Sequence, residues 1–215
     1  GTTYTGAVTL TDDPSATSGA ITLNDSTIAL SGTASDLVTG LDGLTGFSGA
    51  VTLTDDPSLA QLVTINTATS GAITFNDDSV ALSGSSSDVA AALDGTTYTG
   101  AVTLTDDPSL AQLVTINTAT SGAITLNDST IALSGTASDL VTGLDGLTGF
   151  SGAVTLDDTT LAAATLNTLD SSTTGTVDAT TVTTLTGSAA NVNTAYAAGA
   201  TGTITNLGDE TVTLS

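Results

Sequence analysis

The chain has 215 residues and sets 22 acidic residues against no lysine, arginine or histidine, a formal charge of −22. An ordinary soluble domain of this length would hold roughly 25 basic residues, so the balance excludes phosphate backbones and anionic lipid surfaces as partners and leaves cations, water and neutral sugars. Cysteine and methionine are absent, which removes disulfides and oxidisable sulfur and suits an extracellular setting.

The first residues, "GTTYTGAVTL", lack the basic start of a signal peptide. Any export signal is therefore expected outside this stretch. No apolar run along the chain approaches the roughly 20 residues that span a bilayer, and no membrane insertion is expected. From Gly6 onward the chain repeats itself. Residues 16–53 are identical to 119–156, and 49–74 to 100–125. Taking the glycine before each "AVTL" as the mark, one continuous array runs through units 6–48, 49–99, 100–151 and 152–201, with a partial unit at 202–215.

Each unit opens on "AVTLT", where Val51 and Leu53 fall on one face and Thr52 and Thr54 on the other, the alternation of a half-buried strand. "DDPSLAQLVTIN" follows with helical spacing, then a Thr/Ser/Gly loop, the strand-like "AITLND" and "TIALSG", and a second helical stretch, "TASDLVTGLDG". Leu37, Leu41 and Leu44 stand at i, i+4 and i+7, one apolar stripe to lay on the strands. The first unit lacks the nine residues matching "LAQLVTINT" between Pro14 and Ala20, so the first helix reads as removable.

A chain return every two dozen or so residues predicts a mainly β fold, a right-handed solenoid with parallel β-sheet and short helical corners. The alternative is a tandem of β-sandwich domains, suggested by the alternation of "TTYTG" and "LTGFSG" before successive "AVTL" strands.

The recurrent acids divide into caps and candidates for a cation. Asp56 and Asp107 precede a proline, as an N-cap precedes the first helical position. Thr33 with Asp36, Ser85 with Asp88, Thr136 with Asp139 and Ser188 with Asn191 match the spacing of a capping box. Asp55, Asp106, Asp77, Asp78 and Asp128 remain as calcium candidates, since stacked repeats would bring like charges about 4.8 Å apart with no internal cation to offset them. Neither an EF-hand loop nor a glycine-aspartate nonapeptide is present. No enzyme is expected. Histidine and lysine are missing, the one glutamate is Glu210, and three Tyr, three Phe and no Trp make a poor sugar cleft.

The succession of "GAVTLTD", "SLAQL", "TATSGAIT" and "LSGTASDL" over the whole chain resembles the very long secreted repeat proteins of bacteria, cyanobacteria especially, known as β-strand repeat proteins. The resemblance implies a structural protein of an extracellular filament, surface layer or matrix at the cell surface, self-assembling end to end or belonging to a longer run of the same repeats. Two further readings stand beside it, the repeat region of a calcium-dependent adhesin and an ice-binding array based on "TLT". "NDS" at Asn24 and Asn127, and the density of Ser and Thr, leave room for glycans.

Overall fold

The computed structural model describes residues 23–215. The strand expected after Gly6 and the shortened segment between Pro14 and Ala20 lie outside the described residues. In chain order the elements are β1 (Leu30–Gly32), α1 (Ala34–Leu41), β2 (Val51–Leu53), α2 (Leu59–Ala68), β3 (Ile73–Thr74), β4 (Leu82–Gly84) and α3 (Ser86–Leu93). They continue as β5 (Val102–Leu104), α4 (Leu110–Ala119), β6 (Ile124–Thr125), β7 (Leu133–Gly135), α5 (Ala137–Leu144) and β8 (Val154–Leu156). The rest are β9 (Thr160–Ala162), α6 (Ala163–Ser172), β10 (Val177–Asp178), β11 (Thr184–Gly187), α7 (Ala189–Thr201), β12 (Ile204–Thr205) and β13 (Thr211–Leu214). The chain divides into two compact units, one of residues up to Val102 with Ala119–Gly122, the other of Thr103–Thr118 with Ala123–Ser215.

In the first unit β1, β2 and β3 form a parallel sheet in which Leu30 pairs with Val51 and Val51 with Ile73. The alternation of "VTL" decides which side is covered: Val51 and Leu53 are buried while Thr52 is exposed. In α1 the buried positions are Ala34, Leu37, Gly40 and Leu41, a stripe at three- and four-residue steps that packs the helix inward. Consecutive helices then pack on one another, α1 on α2 and α2 on α3.

The second unit holds two parallel sheets, one ordered β12-β10-β8-β7 and one ordered β13-β11-β9. The first aligns Leu133, Val154, Val177 and Ile204 in one buried column, and the second aligns Leu161, Leu185 and Val212. Strand β9 has a local cause. "DDPS" is replaced by "DDTTLA", which removes the proline and restores backbone N–H groups to β-branched residues that can join a ladder.

The expected mainly β solenoid does not form. Among the described residues seven helices occupy 35% of the chain and strands 21%, the strands gathered in small parallel sheets of three or four, so the fold is α/β. The reason lies in segment length. "LAQLVTINTA" continues as helix for ten residues because Leu62 and Ile65 both reach the core from one face, whereas the strands stop after two to four residues. Glycine ends β1, β4, β7 and β11, and at Gly135 and Gly187 φ is +157° and +135°, which bends the chain directly into the next N-cap. Tandem sandwiches are equally foreign to it, since the pairings described are parallel.

The caps sort differently from the acids that suggested them. Thr33, Ser85, Thr136 and Ser188 are N-caps as their spacing predicts, each hydroxyl accepting from the backbone N–H three residues on. Asp56 and Asp107 are not. Ser58 caps α2, accepting from Gln61 N–H at 3.4 Å while Gln61 Oε1 accepts from Ser58 N–H at 2.9 Å, and Ser109 with Gln112 repeats the arrangement. A reciprocal Ser-x-x-Gln box satisfies two orphan donors where a lone carboxylate satisfies one, so the helix starts two residues past the proline.

Candidate functional site

The repeated acids are the only chemically distinctive groups the sequence offers, and their surroundings decide what they can do. Asp55 follows β2, and its Oδ1 accepts from Ala34 N–H at 2.7 Å. Ala34 opens α1, 21 residues earlier in the chain, so Asp55 tops the helix of the preceding half-unit. Asp158 does the same for Ala137 at the start of α5, at 2.6 Å. Carboxylates suit these places because the first turn of a helix presents unpaired N–H groups and positive dipole ends. Asp106 holds the corresponding position after β5.

Asp77 and Asp128 are turn formers. Asp77 Oδ1 accepts from Ser79 N–H at 2.9 Å and from its hydroxyl at 2.6 Å; Asp128 takes the same two bonds from Thr130 at 2.8 and 2.6 Å. Asp25 with Thr27 and Asp178 with Thr180 complete a set of four Asx turns. In each, the hydroxyl and then the N–H two residues on hold the carboxyl below its ordinary range, and at Asp178 the Asn206 amide, at 2.8 Å, adds to this. Asp78 accepts from the Thr99 hydroxyl at 3.1 Å through Oδ1.

The five calcium candidates are therefore dispersed among different jobs. Asp55 faces a helix start, Asp77 and Asp78 sit in the turn before β4, Asp128 sits in the matching turn before β7, and Asp106 belongs to the second unit. Among the described residues no group of three or more His, Cys, Asp or Glu is arranged to hold a metal ion. The nearest approach to convergence lies in the first unit around Tyr98. Burial and then the negative charge of Asp77, Asp78 and Asp56 push its phenol up to about 12. The Tyr98 hydroxyl donates to Val80 O, and its ring meets Phe75 edge-on at 5.2 Å.

Two concavities lie apart from these turns. One, of about 460 Å³, lies in the first unit against Asn66, Thr69, Gly71, Asp94 and Thr96. Several of its polar groups are engaged: Asn66 donates to Ala91 O at 2.8 Å and to the backbone Asp94 O at 3.0 Å, Thr69 to Gly49 O, and Thr96 to Leu93 O at 2.7 Å. The other, of about 430 Å³, lies in the second unit against Leu110, Val114, Thr136, Asp139 and Asp157.

Sequence reasoning passed over the residues that hold neighbouring half-units together. Thr69 Oγ1 donates to Gly49 O at 2.8 Å and accepts from Gly71 N–H at 2.9 Å. Thr120 repeats this with Gly100 and Gly122, and Thr173 with Gly152 and Gly175. The glycine permits the approach, since a Cβ on Gly71 would lie 2.2 Å from Gly49 O and one on Gly175 would lie 2.3 Å from Gly152 O. A Thr-x-Gly at the same place in each unit, "TSG" three times and "TTG" once, was the available signal. Asn66, Asn117 and Asn167 form a second recurrent set, each amide donating to a carbonyl 24 to 28 residues on.

No helix of the described residues is long and apolar enough to cross a membrane. No protein-family model, curated protein or solved structure matches the chain.

Proposed function

We propose that the chain is a non-enzymatic structural protein of an extracellular filament, surface layer or matrix. The observation that carries this reading is the use made of the repeated polar residues. Thr69, Thr120 and Thr173, the three asparagines and the reaching carboxylates of Asp55 and Asp158 spend their hydrogen bonds on the backbone of neighbouring half-units, 20 to 28 residues away. A sequence kept in register for that purpose supports an architectural role, in which copies or further repeats add to one another. The sulfur-free composition and the dense cover of hydroxyls fit an exposed, hydrated setting and leave glycans attachable at residues such as Asn127, which is exposed in its turn.

Negative-stain electron microscopy of the native material, with immunogold labelling of the intact cells that make it, tests the proposal. Filaments or sheets labelled outside the cell are the expected result. Dispersed particles at high protein concentration, or label confined to the cell interior, would overturn it.

A further inference from the structure

Strand β13 is attached to the second unit by very little of its own surface. All four residues are exposed, Val212 at 37% and Leu214 at 60%. What holds the strand is its ladder to β11, with Thr211 N–H on Thr183 O at 2.8 Å and Ser215 N–H on Gly187 O at 3.0 Å, and the residue that precedes it. That residue is Glu210, the sole glutamate of the chain and only 9% exposed. Its Oε1 accepts from the Tyr196 hydroxyl of α7, and its Oε2 accepts from Gly208 N–H at 2.7 Å.

We propose that Glu210 is an acid-sensitive latch: its carboxylate ties the start of β13 to α7, and protonation loosens the strand from β11 while the rest of the unit stays folded. A strand that buries almost no side chain has little else to keep it docked, so a change at one anchor is read directly in local opening. Hydrogen bonds to an ionised acceptor are roughly twice as strong as those to a neutral one.

The surroundings decide the direction. Burial alone would raise the Glu210 carboxyl, but the bonds from Tyr196 and from the backbone N–H groups of the turn outweigh it and hold it below the ordinary glutamate range. The latch is thus closed at neutral pH, and its contribution is lost as pH falls through that lowered value. Tyr196 is the titratable group facing it from α7. The Glu210 bond, then burial, then the carboxylate's charge push that phenol up to about 12, so it stays a donor throughout. Asp209 stands beside it in the turn and is exposed, Asp178 of β10 meets the turn at Asn206, and β11 carries no titratable side chain.

Hydrogen exchange of the full chain, read by mass spectrometry from pH 7 to pH 3 and corrected for the intrinsic pH dependence of exchange, tests this. Protection of residues 211–214 is expected to fall severalfold between pH 6 and pH 3 while β11 and α7 keep theirs, since the neutral carboxyl holds its donors more weakly than the carboxylate. Glu210→Gln, which keeps the shape without the charge, should show the lowered protection already at pH 7 and no further fall. Tyr196→Phe should lower it partway and serves if the glutamine variant does not fold. Constant protection in the wild-type chain, or an equal acid-induced fall in Glu210→Gln, would overturn the proposal.

Discussion

Replacing Thr173 by valine isolates the contact on which the structural reading rests. The side chain is buried, donates to Gly152 O at 2.7 Å and accepts from Gly175 N–H at 2.9 Å. Valine fills nearly the same space but leaves the buried Gly152 carbonyl and the half-buried Gly175 N–H without that partner. The backbones are already close, with a Cβ on Gly175 only 2.3 Å from Gly152 O. An unsatisfied buried group costs about 1–3 kcal/mol, and with the Gly152 carbonyl the one fully buried here the variant should lose about 1–3 kcal/mol. Urea unfolding followed by helical circular dichroism reads this as a lower midpoint at unchanged slope. Thr168→Val is the control, because its hydroxyl bonds Ala164 O on the exposed face of α6 and should cost no more than about 0.5 kcal/mol. A Thr173→Val midpoint indistinguishable from that of the control would refute the argument that this hydroxyl binds one half-unit to the next.

The caps give a second comparison: Ser58→Ala should destabilise by about 1 kcal/mol in the same assay, and Asp56→Ala, whose carboxylate only accepts from Asn76 at 2.9 Å on the surface, by clearly less. Asp55→Ala should cost about 1 kcal/mol through the lost bond to Ala34 N–H; an effect that appears only with calcium present would point instead to a metal ligand. Calcium and magnesium at equal concentration are expected to raise the thermal midpoint equally, as counterions to a chain of charge −22, because no acidic cluster among the described residues distinguishes them. A calcium-specific rise would contradict this. Tyr98 and Tyr196 should ionise near pH 12, visible in ultraviolet difference absorbance. Since the fold favours the neutral phenols, their contribution to stability is present below pH 10 and lost as pH rises from 10 towards 12.

Local elements were legible where the physics is local. "VTL" alternates every second residue and forms a strand with the expected faces; "SDLVTGL" and "SDVAAAL" carry an apolar stripe behind a Ser/Thr cap and form helices. The cap of α2 was misplaced because the eye falls on Asp-Pro, while the helix start is set by Ser58 and Gln61 acting on each other three residues apart. The balance of helix to strand was less legible. It depends on where each glycine bends the chain and how far "LAQLVTINTA" can run before Thr69 turns away to meet Gly49, a contact 20 residues distant. The candidate site was least legible, since Asp55 and Asp106 look alike in the sequence as residues left over after capping, and only the fold shows that Asp55 caps a helix 21 residues upstream.

A chain of 22 acids and no bases raises the question of what offsets its charge, and the described residues answer it with donors in place of cations. Asp25, Asp77, Asp128 and Asp178 are each bound by a hydroxyl and an N–H two residues on, Asp55 and Asp158 by helix starts, and Glu210 by a phenol and a turn. At the four turns a hydroxyl beside the carboxylate stabilises the ionised form locally, without the long, mobile side chain of an ion pair. The arrangement has a definite pH sense. Groups held below their ordinary range contribute stability above it and lose that contribution as pH falls. Acid therefore loosens the turns and the β13 anchor selectively while the buried aliphatic columns, which owe nothing to charge, hold each unit together.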